Sequence, residues 1–242
     1  MTPIQLPDTG RRPALSGPAF GGILAFVAGY VDVVGFISLF GLFTAHVTGN
    51  FVMIGVDIAG DSAGLLAKLL ALPTFALAVA ATRLTESRMV RNSQSAPPLL
   101  LFAEATALVL FMIAGLQASP ISDPDTPMAI VAGTLAVVAM GIQNALSRTS
   151  LSDLGPTTIM TGNTTQIVID LVDLPSASEV ERKAIRGRLK KMVPALAGFA
   201  SGAALGALGY SVLSLWCVVL PIVLLLALSL STWRDEANSL QK

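Results

Sequence analysis

Six stretches of this chain are each about twenty residues long, apolar and nearly free of charge: Phe20–Phe40, Gly64–Arg83, Pro98–Gln117, Pro127–Ser147, Met192–Gly209 and Ser211–Leu230. A helix needs about 20 such residues to cross the hydrocarbon core of a bilayer. In lipid every backbone N–H and C=O must find a partner within the protein, so only helices and closed barrels span. Runs of this length point to helices, and the fold predicted is all-α, a polytopic membrane helix bundle. Composition agrees. The 242 residues are 53% hydrophobic and 12% charged with a mean hydropathy of +0.73, whereas soluble domains carry about 25% charged residues.

Two further apolar segments are shorter and more polar, and they resemble each other. Thr44–Ile58 carries Thr48-Gly49-Asn50, and Thr157–Val172 carries Thr161-Gly162-Asn163. Upstream, Gly29-Tyr30-Val31-Asp32 is matched by Gly141-Ile142-Gln143-Asn144. Seven residues past each asparagine stands an acid, Asp57 in one case and Asp170 in the other. Asp32 and Asn144 are 112 residues apart, and the tripeptides and the acids are each 113 apart. Pro73 and Pro194 fall early in the apolar stretch that follows each short segment. The chain therefore reads as two copies of one membrane unit, 18–117 and 127–232. An external linker at 118–126 joins them, and polar tails at 1–17 and 233–242 flank them.

Basic residues orient the spans, because cytoplasmic loops carry the excess of Lys and Arg. Arg11 and Arg12 precede the first span, Arg88 and Arg91 follow the second, and residues 173–191 hold Arg182, Lys183, Arg186, Arg188, Lys190 and Lys191. Acids mark the opposite loops, with Asp61 in 59–63 and Asp123 and Asp125 in 118–126. The pattern is consistent only if each tripeptide segment enters and leaves on one side. The prediction is about six full spans plus two re-entrant or broken short helices, with both termini cytoplasmic. Three crossings per unit is odd, so the second copy is inverted relative to the first, an architecture used by many transporters. The apolar stretch at Phe20–Phe40 has no convincing cleavage site after it and reads as a retained first helix rather than a signal peptide.

The candidate site residues are the polar groups that the repeat preserves. Thr and Asn can cap the open N–H groups of a half-helix, and Gly permits a tight break. Two half-helix starts approaching from opposite faces would aim their positive ends at the midplane, where they could bind an anion, orient a polar solute or repel cations. The competing reading makes Thr48, Gly49, Asn50, Thr161, Gly162 and Asn163 caps and packing joints. Asp32 lies mid-span, where a carboxylate is costly and marks a functional position by default. Its counterpart Asn144, beside Gln143, is neutral, so only one half supplies charge. Asp32 is either a titrating group on the solute path or a structural acid paired with Arg148 or with the neighbouring short element. His46 precedes the first tripeptide where the second has Ile159, and it either gates and senses pH or packs. Asp57, Asp170, Glu104 and Arg148 are accessory candidates. The acids that close the short segments could be merely solvated, and Glu104 and Arg148 could snorkel to the surface. Gly198, Gly202 and Gly206 recur at every fourth position and read as a helix-packing face.

Several classes of function are disfavoured. Net charge is zero and no basic block stands outside one loop, so no nucleic-acid partner is expected. A single cysteine, Cys217, supports neither a disulfide framework nor a thiolate metal site, and a single histidine excludes multi-histidine metal chemistry. No hydrolase, kinase or nucleotide-binding motif appears. No catalytic residue, metal or cofactor is assigned. The partners expected are membrane lipid and an unidentified small solute, with homo-oligomerisation left open.

The motifs Gly29-Tyr30-Val31-Asp32 with Gly35-Phe36, His46-Val47-Thr48-Gly49-Asn50, Gly141-Ile142-Gln143-Asn144-Ala145 and Met160-Thr161-Gly162-Asn163-Thr164 resemble those of the YoaK family of bacterial integral membrane proteins. The resemblance covers roughly residues 18 to 232. It implies a bacterial cytoplasmic membrane protein of about six spans, and it implies no activity and no functional residues. The leading expectation is a small-solute transporter or channel whose path runs between the two tripeptide elements. The alternatives are an intramembrane enzyme acting on a lipid-like substrate, with Asp32, Asp57 and Asp170 as a carboxylate cluster, and a membrane scaffold without its own chemistry.

Overall fold

A computed structural model of the chain describes residues 17–60 and 64–240. The expectations resting on Arg11, Arg12 and Asp61 fall outside those residues. Among these residues eight α-helices follow in order: α1 Pro18–Ser38, α2 Gly49–Ala59, α3 Leu65–Arg91, α4 Pro97–Ala118, α5 Pro127–Arg148, α6 Met160–Asp173, α7 Glu179–Leu213 and α8 Val219–Leu240. Short 3-10 turns stand at Ser152–Leu154 and Ser214–Val218. Proline opens α1, α4 and α5, where its missing N–H costs no helical bond.

Five runs among the described residues are long and apolar enough to cross a membrane. The last run, Glu179–Asn238, is broken by the 3-10 turn at Ser214–Val218, and at Ser214 φ is 50°. It therefore divides into α7 and α8, and the chain is a multi-pass membrane helix bundle. Two helices are longer than the apolar stretches that seed them. α3 runs on to Arg91 and α7 begins at Glu179, so the whole basic stretch at 182–191 is helix rather than loop. Ser178 opens α7 with a capping box: its hydroxyl accepts the Glu181 N–H while the Glu181 carboxylate accepts the Ser178 N–H.

Residue contacts give the helix directions. α1 and α7 run parallel, because Gly22 meets Pro194 and Gly198, Phe26 meets Gly202, and Tyr30 meets Gly206. α3 and α5 also run parallel, with Ala78 against Gly141 and Glu86 bonded to Thr149. α1 and α5 are antiparallel, through Leu24 with Gln143 and Leu39 with Gly133. α4 and α8 are antiparallel as well: the Ser229 hydroxyl donates to the Pro98 carbonyl at 2.7 Å, and Leu215 packs on Gly115. The first helix of each half thus lies beside the second long helix of the other half.

The glycines of α7 permit the closest of these packings. A Cβ at Gly198 would run into the Gly22 carbonyl, one at Gly202 into the Phe26 carbonyl, and one at Gly206 would come within 2.7 Å of the Tyr30 carbonyl. Backbone meets backbone, as small-residue stripes allow in membranes.

The directions also place the short helices. α1 ends, and α3 begins, at the same end of the bundle, so α2 leaves and returns there. α5 ends and α7 begins at the opposite end, so α6 leaves and returns there. Each short helix buries a narrow stripe, Asn50 and Asp57 in α2 and Met160, Asn163, Ile167 and Asp170 in α6. Each exposes apolar side chains on its other faces, including Val52 and Ile58 in α2 and Val168 and Val172 in α6. In a bilayer that surface suits lipid.

Candidate functional site

The site is built from two chain reversals. α1 ends at Ser38, and the chain turns back through Phe40 (φ 54°) and Gly41 (φ 86°). The positive φ values let the segment after α1 fold down along it. Thr44 then lies against Gly35, where a Cβ would be 2.6 Å from the Thr44 methyl. The second reversal follows α5, through the 3-10 turn and Gly155 (φ 81°) to Thr157 and Thr158.

Asp32 organises the first reversal. Its Oδ1 accepts the N–H groups of Thr44 at 2.8 Å and Ala45 at 2.7 Å, with the His46 N–H and the Thr44 hydroxyl at 3.4 Å. Its Oδ2 faces Nδ1 of His46 at 2.7 Å. Successive N–H groups converging on one carboxylate form an anion-binding nest. The buried acid thereby satisfies backbone donors that are shut off from bulk solvent. The His46 side chain is 33% exposed, and its ring stands edge-on to Phe199 of α7 with centroids 5.2 Å apart. Asp32 is not paired with Arg148, which is exposed at the end of α5.

The second reversal repeats the design with neutral groups. The Thr158 hydroxyl donates to Asn144 Oδ1 at 2.6 Å, and Asn144 Nδ2 donates to the Met140 carbonyl at 3.0 Å. Gln143 Nε2 donates to the Thr157 hydroxyl at 3.1 Å and to the Leu24 carbonyl of α1 at 2.8 Å. Its Oε1 is buried with no hydrogen-bond partner among the described residues.

The tripeptides do not act as helix caps. Thr48 occupies the N-cap of α2 without a side-chain bond, and Thr161 to Asn163 lie inside the first turn of α6, capped by Ile159. The asparagines instead reach back seven residues. Asn50 accepts the Phe43 N–H at 2.9 Å and donates to the Phe43 carbonyl at 2.8 Å. Asn163 donates to the Pro156 carbonyl at 2.9 Å. Proline has no N–H, so the second hook is single. Gly49 packs against the Phe43 ring, where a Cβ would lie 2.9 Å away, whereas Gly162 has open space around it. Thr48, Thr161 and Gly162 are exposed, and only the asparagines are buried.

The acids that close the short helices are buried and paired, not merely solvated. Asp57 bonds Lys68 of α3 at 2.7 Å, both side chains about 1% exposed. Asp170 receives Arg188 of α7 through Nη2 at 2.5 Å and Nε at 3.0 Å, and Gln166 Nε2 at 3.0 Å. Each short helix is thus tied to the long helix after it. Asp170 lies outside the five spanning runs. The Arg188 guanidinium bonded to it, with help from Gln166 and against the effect of burial, holds its carboxyl below the ordinary aspartate range.

Asp32, Asp57 and Asp170 fall into three separate polar clusters, so the carboxylate-cluster version of an enzyme finds no converged acids among the described residues. α2 packs on α3 and α6 on α7, and among the described residues no comparable packing joins the two short helices. Glu104 is fully buried in α4 instead of snorkelling.

Several participants escaped the sequence reading. Thr44 and Thr157 stand at the same 113-residue offset as the tripeptides, and that signal could have found them. Lys68 and Arg188 lie five and six residues before Pro73 and Pro194, a weaker cue. Phe199 and Glu86 have no counterpart signal. Glu86, buried on α3, accepts the Thr149 hydroxyl at 2.7 Å and the Ser150 hydroxyl where the chain leaves α5.

Fold and site together define a multi-pass helical membrane protein in which two chain reversals are pinned to polar residues of α1 and α5. The chain belongs to the family described as "Protein of unknown function (DUF1275)", whose model matches residues 20–231. The narrower YoaK label has no named homologue behind it. No curated protein and no solved structure matches the chain.

Proposed function

We propose that the protein is a transporter or channel for a small polar solute, with the two reversals forming its inner and outer half-sites and the Asp32–His46 pair handling a proton. The observation that carries this reading is the unequal filling of two equivalent places. One reversal holds a carboxylate 2.7 Å from a part-exposed histidine, and the other holds Gln143 with an open buried acceptor. A scaffold needs neither a titratable pair nor an unsatisfied acceptor in its interior, and both cost stability. The exchange of partners between halves, α1 with α7 and α5 with α3, is what two inverted three-span units produce. Basic residues Arg88, Arg91 and Arg148 and the start of α7 mark the end holding α6 as cytoplasmic, while Asp123 and Asp125 mark the other. We take the membrane to be a bacterial inner membrane, as the resemblance implies, and read both termini as cytoplasmic.

A thermal-shift screen of amino acids, sugars, nucleobases and small anions on the purified protein tests the reading, with His46→Gln and Gln143→Leu beside the wild type. A solute should stabilise the wild type saturably, lose its effect in both variants, and show counterflow in proteoliposomes. Absence of any such solute, together with full function of both variants in cells, would sink the proposal in favour of a scaffold. A ligand that binds without counterflow would refute transport.

A further inference from the structure

Glu104 has no part in either reversal. It is the only charged side chain of α4, it is 0% exposed, and both of its carboxyl oxygens lack a hydrogen-bond partner. α4 packs against α5, α8 and the 3-10 turn at Ser214–Val218. The titratable and charged groups on those elements are few. α5 has only Arg148, exposed at its last residue. α8 has Arg234, Asp235 and Glu236, and the turn has Cys217. Ser229 of α8 is level with Pro98, and Glu236 bonds the Ser95 N–H just before α4 begins. The charged end of α8 therefore lies at and beyond the start of α4, while Glu104 is six residues, about 9 Å, further in. Cys217 lies toward the opposite end, since its neighbour Leu215 packs on Gly115.

A carboxylate in such a place is closed off from bulk solvent and meets no countercharge among the described residues, and an unpaired buried ion neutralises rather than persists. A metal cation would need several oxygen ligands, and the nearby α4 residues Leu100, Leu101, Ala105 and Leu108 are apolar and buried. A proton is the one ligand that fits. We infer that Glu104 is a proton-binding site in the membrane interior, separate from the Asp32–His46 pair, which carries its proton at neutral pH and exchanges it with solvent when α4 shifts against α5 or α8. Structural use of an acid this deep would call for partners, and it has none. An intramembrane carboxyl of this kind serves proton relays in pumps and transporters. The inference does not rest on the transport reading, because it concerns one residue's occupancy whatever solute the protein handles.

Infrared spectroscopy of the full-length protein in lipid tests it. A carboxylic acid shows a C=O stretch that a carboxylate lacks. The wild type should show this band at neutral pH, lose it reversibly on alkaline titration while still folded, and lack it in Glu104→Gln. Glu104→Leu, which keeps an apolar filling of similar size, should also lack the band and covers the case in which the amide variant fails to fold. Absence of the band at neutral pH, or its survival in both variants, overturns the proposal. A band that withstands alkali until the protein unfolds would mark a locked structural acid and overturn the exchange.

Discussion

Asp32 Oδ2 lies 2.7 Å from Nδ1 of His46, fourteen residues further along the chain, while Oδ1 of the same carboxylate takes the N–H groups of Thr44 and Ala45. One side chain therefore holds a chain reversal inside the bundle and keeps a part-exposed imidazole in contact with a buried carboxyl group. The two roles separate by mutation.

Asp32→Asn keeps an acceptor for the loop and makes the first half resemble the second, where Asn144 stands. Asp32→Ala removes the acceptor and strands two buried donors, at about 1–3 kcal/mol each. Melting temperature should fall in the order wild type, Asp32→Asn, Asp32→Ala. A proton-dependent activity should be lost in both variants. Equal melting of the two variants would deny the acceptor role.

Asn50 makes two bonds to Phe43 and Asn163 makes one to Pro156. Net values of about 0.5–1.5 kcal/mol per bond make Asn50→Ala roughly twice as costly as Asn163→Ala. Chemical unfolding in detergent reads the difference, and a larger loss at Asn163 contradicts the assignment.

The two ion pairs differ in burial. Lys68→Met takes the ammonium from a carboxylate about 1% exposed, a change that costs about 3–5 kcal/mol in buried pairs. The side chain of Arg188 is 43% exposed, so Arg188→Gln should lower the melting temperature less.

The Asp170–Arg188 pair also has a pH signature. The carboxyl titrates lower in the folded protein than in the unfolded chain, chiefly because Arg188 bonds its charged form. Its contribution is complete above the ordinary aspartate range and disappears as pH falls through the lowered value. Acidification through that window should destabilise the wild type more steeply than Arg188→Gln. Parallel melting curves against pH for the two proteins would exclude the linkage.

Gly202→Ala drives a methyl into the Phe26 carbonyl and should force α1 from α7, at about 1–3 kcal/mol or more. Gly162→Ala meets open space within α6 and should gain about 0.5–1 kcal/mol. Thermal unfolding of the pair checks both signs. A stable Gly162→Ala protein without activity in cells would show that the tripeptide glycine serves function rather than folding.

Much of the bundle was legible because membrane solvation acts residue by residue. A run such as Pro98–Gln117 has one economical conformation in lipid, so its helix is written in its composition. The positions of Asp32, Asn144, Asn50 and Asn163 were legible too, because their motifs recur at a nearly constant offset in the sequence. Their chemistry was less so. Thr-Gly-Asn reads as a cap by local propensity, yet Asn50 finds its partner in Phe43, where the turn at Phe40 and Gly41 has brought the chain back. Capping is a local rule, and a seven-residue hook depends on the path of the loop.

The sequence by itself determined the solvent this protein folds in, the helical class, and which polar residues recur. Only the tertiary structure decided their partners. Lys68 with Asp57 and Arg188 with Asp170 depend on how each short helix folds back onto the long helix after it, and the solitary burial of Glu104 depends on helices packed from the other half of the chain. The physical reason is range. Hydrophobic length and repeat spacing are properties of a segment, whereas a buried charge is settled by whichever groups the fold places, or fails to place, within a few ångströms.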